Sequence, residues 1–253
     1  MEAAIALGGA LYPGRLSPQP GRLFAWGKTG GKGGNALPVP PAAVDKAGDC
    51  VFPAQCQLPK GTGAVFIKAS VDVGPFCALD ATGRAWAWSG WAQKGGCWSA
   101  GPQPVADGCI DCAAGAGFIV VAKADGSMWM LGKAPSPTPL PDARGGWVEL
   151  SWATGGPVAV AVDACDGVVL AASADGSLFS AGQGVALGHS KSGAASVFAQ
   201  LLGLPPVCAF SVGSLSGCCG GRDGTVWTWG DGTSGNLVSS RAICRCCLYM
   251  GLF

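Results

Sequence analysis

The sequence predicts an all-β fold, a propeller-like array of small repeated sheets forming one domain over residues 1–253. Three observations predict it. Five copies follow the pattern Gly-x-Φ-x-x-x-Gly, with Φ apolar and serine in place of the last glycine in the second, their leading glycines 62, 43, 50 and 48 residues apart. Three copies are entered through Asp-Gly, and each copy lies between an apolar run and a glycine-rich exit. A period of about 40–50 residues assembled from short strands is the mark of propeller blades.

In chain order, the first copy is Gly21–Gly27, with the head Ile5–Leu11 or the tail Arg241–Phe253 available to pair beside it. A proline-rich stretch at about 37–60 then lengthens the spacing and reads as an inserted surface loop. Phe76–Leu79 is a strand leading into the second copy, Gly83–Ser89, the one copy that ends in serine. Phe118–Ala122 leads through Asp125-Gly126 into Gly126–Gly132, and Val168–Ala172 leads through Asp175-Gly176 into Gly176–Gly182. Asp223-Gly224 opens the last copy, Thr225-Val226-Trp227-Thr228-Trp229-Gly230. Asp-Gly between apolar runs signals a hairpin, because glycine accepts the positive φ of a primed turn. Aromatic and β-branched residues after it suit a half-buried pleated surface.

An apolar strand ending in glycine, a second strand, Asp-Gly, an aromatic strand, Trp-Gly and a Gly-x-Leu-Gly-like turn together resemble the regulator-of-chromosome-condensation (RCC) repeat. The resemblance covers roughly residues 20–240, and about five copies are recognisable. It implies a β-propeller, with about seven blades in the usual member. It also implies one activity, guanine-nucleotide exchange on a small GTPase. No exchange-loop motif matches residue by residue, so that activity is the alternative expectation.

Composition narrows the function. Net charge is +1 without a lysine or arginine cluster, which argues against nucleic-acid binding, since phosphate contacts need clustered cations. Charged residues make up only 12% while apolar residues reach 49%, compatible with a surface partly covered by protein partners. The most apolar stretch, Val158 to Ala174, is broken by Asp163, Asp166 and Gly167, so no membrane span is expected. The N-terminus has no basic, then apolar, leader pattern. An intracellular, reducing compartment is therefore expected, which also suits thirteen cysteines, an odd number.

Motifs for chemistry are weak. Cys109-Ile110-Asp111-Cys112 has no matching second pair, and Cys112 falls where the repeat places small apolar residues. Cys218, Cys219, Cys244, Cys246 and Cys247, the last three in the cysteine-rich tail at about 241–253, are the one thiolate cluster that a fold-back could assemble around zinc. Packing is the simpler account of it. Gly27-Lys28-Thr29 resembles the end of a phosphate loop, but position 22 is Arg22 rather than the required glycine. The single histidine, His189, provides neither a multi-histidine metal site nor a triad. No catalytic residue and no cofactor are expected.

Six tryptophans fall on the repeat strands. Trp91, Trp98, Trp147 and Trp152 fall outside the repeat core and are the candidate partner contacts. With the loop 37–60, the segment Trp91–Trp98 and the proline-rich loop Pro135–Trp147, they give the expected function. It is a non-enzymatic protein-interaction scaffold, or a structural subunit of a larger assembly, binding through propeller loops.

Overall fold

The computed structural model describes residues 4–8, 21–27, 41–43, 45, 50–60, 62–72, 74–89, 98, 101–152, 156–189, 193–233 and 237. These form five antiparallel sheets, each a meander of strands adjacent in sequence. The first holds β1 (Ala4–Gly8), β2 (Arg22–Gly27) and β3 (Cys50–Gln55). The second holds β4 (Phe66–Val71), β5 (Pro75–Asp80), β6 (Ala85–Ser89) and β7 (Gln103–Ala106). The third holds β8 (Cys109–Gly115), β9 (Phe118–Lys123), β10 (Met128–Gly132) and β11 (Ala143–Glu149). The fourth holds β12 (Ala159–Cys165), β13 (Val168–Ser173), β14 (Leu178–Gln183) and β15 (Ala194–Gln200). The fifth holds β16 (Val207–Val212), β17 (Ser216–Gly221) and β18 (Val226–Gly230).

β4, β8, β12 and β16 touch one another in succession and so line the axis of a β-propeller. The all-β expectation holds, and the strands expected before the Asp-Gly turns are β9 and β13. Of the two chain ends considered for pairing with the first copy, the head does so: Ala4 to Gly8 pair with Trp26 to Arg22. Residues 241–253 lie outside the described residues. Within the stretch 37–60, Cys50–Gln55 forms the outer strand β3, paired to β2. Its Pro53 lies where the register shifts, a place on a sheet edge that tolerates the missing N–H.

The core is not one mass. Strand alternation sends successive side chains to opposite faces of each sheet, so apolar residues meet in four clusters, one between each consecutive pair of sheets. Leu23, Phe66, Phe76, Trp86 and Trp88 fill the first. Cys77, Leu79, Ile119 and Val121 fill the second, and Phe118, Val120, Met128, Met130 and Phe198 the third. Leu170, Leu178, Leu187 and Val207 fill the fourth, with Trp227 and Trp229 packed against them. Trp229 Nε1 donates to the Ala186 carbonyl at 2.6 Å. The buried indole N–H of Trp88, at the matching repeat position, has no acceptor among the described residues.

The hairpins differ from the two-residue primed turn expected. Gly126 N–H donates to the Lys123 carbonyl at 2.9 Å, and Lys123 N–H donates to the Ser127 carbonyl at 2.9 Å. Three residues therefore connect the strands, with only the glycine in the left-handed region at φ 86°. The aspartate stays at ordinary φ because its carboxylate caps the turn. Asp125 Oδ1 accepts from the Ser127 N–H (2.9 Å) and hydroxyl (2.6 Å), and Trp129 Nε1 donates to that hydroxyl at 2.8 Å. Asp223, Thr225 and Trp227 repeat the relay. The second sheet reaches the same end differently. There Asp80 begins the turn and accepts from Thr82, Arg84 and the Trp86 indole.

Burial works to raise the Asp80 pKa, but hydrogen bonds from Thr82, Trp86 and Arg84 outweigh it and hold the carboxyl below its ordinary 3.8. A lowered folded pKa contributes stability above the unfolded value that is lost as pH falls through the folded one. Asp80→Asn is therefore expected to destabilise at neutral pH by about 1–3 kcal/mol and to flatten the loss of stability below pH ~4, both measurable by urea unfolding across pH.

The exit glycine is demanded by contact. A Cβ on Gly182 would lie 1.9 Å from the Gly167 carbonyl oxygen, at φ +112°. Where Ser89 replaces it, the hydroxyl donates to the Gly74 carbonyl at 3.2 Å. Gly182→Ala should cost more than about 1 kcal/mol by denaturant midpoint. Gly63→Ala, with nothing within 4 Å, should stay within about 0.5 kcal/mol.

Candidate functional site

The axis begins with a repeated distortion. In each axial strand the register shifts after the first residue, between Phe66 and Lys68, Cys109 and Asp111, Ala159 and Ala161, and Val207 and Ala209. A bulge re-aims its extra residue, and the residues so displaced are Ile67, Ile110, Val160 and Cys208. Three are β-branched aliphatics exposed by 57%, 40% and 39%, and Cys208 is exposed.

All four lie at one mouth of the axis, the mouth of the hairpins. There the backbone N–H groups of Ala81, Ala124 and Arg222, at the hairpin tips, donate to the carbonyls of Val65, Gly108 and Pro206, which just precede the axial strands. Val158 and Leu202 are exposed on this same face, so it carries five of the seven large exposed apolar side chains among the described residues. Val185 and Leu215 are the other two.

Deeper along the axis the side chains are charged. Lys68 Nζ lies 2.6 Å from Asp111 Oδ1 and donates to the Val162 carbonyl at 3.0 Å. Asp111 Oδ2 accepts from Val162 N–H at 2.8 Å, so one ion pair ties together the second, third and fourth sheets. Asp163 repeats the device between the fourth and fifth, accepting from Val212 N–H (2.9 Å) and the Ser211 hydroxyl (3.0 Å). Near the far mouth Asp166 N–H donates to Asp72 Oδ2 at 2.5 Å. Asp166 is the one non-glycine residue at positive φ among the described residues.

The four axial strands and the turn residues Asp72 and Asp166 that come after β4 and β12 thus carry four aspartates and a single lysine, Lys68. Burial works to lower the Lys68 pKa, yet the adjacent Asp111 carboxylate holds it above its ordinary value. For Asp163 burial wins over its hydrogen bonds and raises the pKa.

Trp98 and Trp147 are partly buried against the cluster between the second and third sheets. Trp152 lies between Phe179 and Phe198, at 5.0 and 5.1 Å between ring centroids. Trp91 lies outside the described residues. Cys218 is exposed and Cys219 buried, as neighbours on opposite faces of β17, and burial pushes the Cys219 thiol up to about 12. Cys244, Cys246 and Cys247 lie outside the described residues, and no metal-binding group occurs among the described ones. Cys109 and Cys112 pack in the second inter-sheet cluster. His189 Nε2 is 3.3 Å from the Ser180 carbonyl. Among the described residues no helix is long and apolar enough to cross a membrane.

Sequence reasoning missed Lys68, Asp111 and the axial role of Asp163. The signal was a charge inside an apolar strand: Phe-Ile-Lys, Cys-Ile-Asp and Ala-Val-Asp.

No family model and no curated protein match the sequence. Solved structures do. Yeast RCC1 (Prp20) bound to Kap60 superposes with a TM-score of 0.65 at 17% identity, over 83% of this chain and 52% of that one. Prp20p from Saccharomyces cerevisiae, described with its binding properties to Gsp1p and histones, gives 0.65 at 17% over 88% and 57%. Human WBSCR16 gives 0.66 at 14% over 87% and 60%. The fold is that of an RCC1-type β-propeller. The chain spans between 52% and 60% of the length of these propellers.

The axial pair should behave as a unit. Asp111→Ala takes the counter-charge from Lys68 and leaves the N–H groups of Cys112 and Val162 unpaired, and should cost more than Lys68→Met, which keeps both of those hydrogen bonds. The double variant should fall short of the sum of the singles by about 0.5–3 kcal/mol in a double-mutant cycle of unfolding free energies.

Proposed function

We propose that this chain is a non-enzymatic protein-binding propeller, acting as a scaffold or as a structural subunit of a larger assembly. The observation that carries the reading is the concentration of large exposed apolar side chains on the hairpin face. Exposed apolar side chains gathered on one face suit a protein contact, and a rigid frame presenting loops suits recognition. Trp91, Trp98, Trp147 and Trp152, together with the loops 37–60 and 135–147, are the further contacts of the proposal. Cys56, Cys77, Cys109, Cys112 and Cys219 are buried free thiols, which suits a reducing compartment.

Exchange on a small GTPase is the second reading, favoured by the likeness to yeast RCC1 (Prp20). The two readings separate in one pair of experiments on the full chain. Affinity recovery under gentle conditions and then native mass measurement should return a stoichiometric protein complex, weakened by Val158→Ser with Leu202→Ser. A nucleotide-release assay with small GTPases should show no stimulation. Release stimulated more than roughly tenfold, with no stable complex, would replace the scaffold by an exchange factor.

A further inference from the structure

The axis presents two features at once, exposed aliphatic side chains and negative charge. Its hairpin mouth is ringed by Ile67, Ile110 and Val160, which the bulges turn away from the sheets, although every other large side chain of β8 and β12 packs inward or pairs. Beyond that ring the same strands and their turns offer Asp72, Asp111, Asp163 and Asp166 against the single ammonium of Lys68. Lys68 is already committed to Asp111 and the Val162 carbonyl. Asp163 has hydrogen bonds from Val212, Ser211 and Ala164, and the Lys68 ammonium acts on it only from beyond salt-bridge distance. A partly buried carboxylate in that position is relieved by any cation that enters, and an aliphatic side chain beside the cation covers the exposed ring. Apolar contact and charge complementarity thus select one kind of occupant.

We propose that the hairpin mouth of the axis docks an extended segment of a protein partner in which an aliphatic residue neighbours a lysine or arginine. The aliphatic side chain sits among Ile67, Ile110 and Val160, and the cation points down the axis toward Asp163. An acidic segment is rejected, since it would bring a fifth carboxylate to four. This rests on the protein-binding reading above and assigns the chemistry of its partner.

The test uses the full chain and three dye-labelled peptides, read by fluorescence polarisation. One alternates leucine and lysine in a glycine-serine background, the second replaces lysine by glutamate, and the third replaces leucine by serine. The leucine–lysine peptide should bind at least roughly tenfold tighter than either counterpart, and binding should weaken as ionic strength rises. Ile110→Ser and Ile67→Ser, at exposed positions that leave the melting temperature unchanged, should each reduce binding at least roughly fivefold. Asp163→Asn should remove the preference for lysine over glutamate. No binding of the leucine–lysine peptide, equal binding of the glutamate peptide, or binding unchanged by Ile110→Ser would each overturn the inference. A chain that still recovers its stoichiometric partner while failing these peptide tests loses the axial docking site and keeps the scaffold reading.

Discussion

One hydrogen bond, made four times, sets the architecture. The carbonyl of the leading glycine in each hairpin accepts from the first N–H of the next axial strand: Gly21 from Phe66 at 3.0 Å, Gly83 from Cys109 at 2.8 Å, Gly126 from Ala159 at 3.4 Å and Gly176 from Val207 at 2.8 Å. The approach leaves no room for a side chain. A Cβ would stand 2.0 Å from the Phe66 oxygen at Gly21 and 2.6 Å from Val158 Cγ1 at Gly126. Gly224, in the last described sheet, has nothing within 4 Å. The glycine therefore answers to the neighbouring sheet as well as to its own turn.

Pinning the first residue of an axial strand constrains the second. The strand must meet its partner in the same sheet and the preceding hairpin at once, and the bulge absorbs the mismatch by displacing one residue. Across four sheets that local adjustment assembles a mouth lined by Ile67, Ile110, Val160 and Cys208. Just inside, backbone N–H groups of Val162 and Val212 face the preceding sheet, where Asp111 and Asp163 satisfy them. Carboxylates are good acceptors for such donors, but they leave the axis short of positive charge. The structural solution to joining sheets thus produces the surface chemistry on which the proposed binding rests.

Much of this was legible in residues 76–89, 118–132 and 168–182, and in the turn and aromatic strand of 223–230. There the strand, the turn and the aromatic strand are encoded by local preference, and glycine marks each close approach. The illegible part depends on pairing between distant segments. A bulge is a property of two strands in register, so Ile110 and Val160 read as ordinary members of an apolar run. Trp98, Trp147 and Trp152 stood outside the repeat, yet tertiary packing brings each against an inter-sheet cluster. The stretch 37–60 read as a loop for its prolines, although Cys50–Gln55 carries enough apolar and β-forming residues to pair with β2. Asp125 and Asp223 were recognised as turn residues, but their relay through a hydroxyl to an indole needs the register of the next strand.

The measurement that bears most directly on this account is hydrogen exchange at the amides of Cys109, Ala159 and Val207, compared with the same amides after Gly126→Ala. The account predicts that all three are protected as strongly as the buried centres of β9 and β13, and that the substitution speeds exchange at Ala159 while leaving Phe66 and Val207 unchanged. Exchange at these amides as fast as at the exposed hairpin tip Ala174, or an Ala159 amide indifferent to Gly126→Ala, would show that these hydrogen bonds do not hold the sheets together and would contradict it.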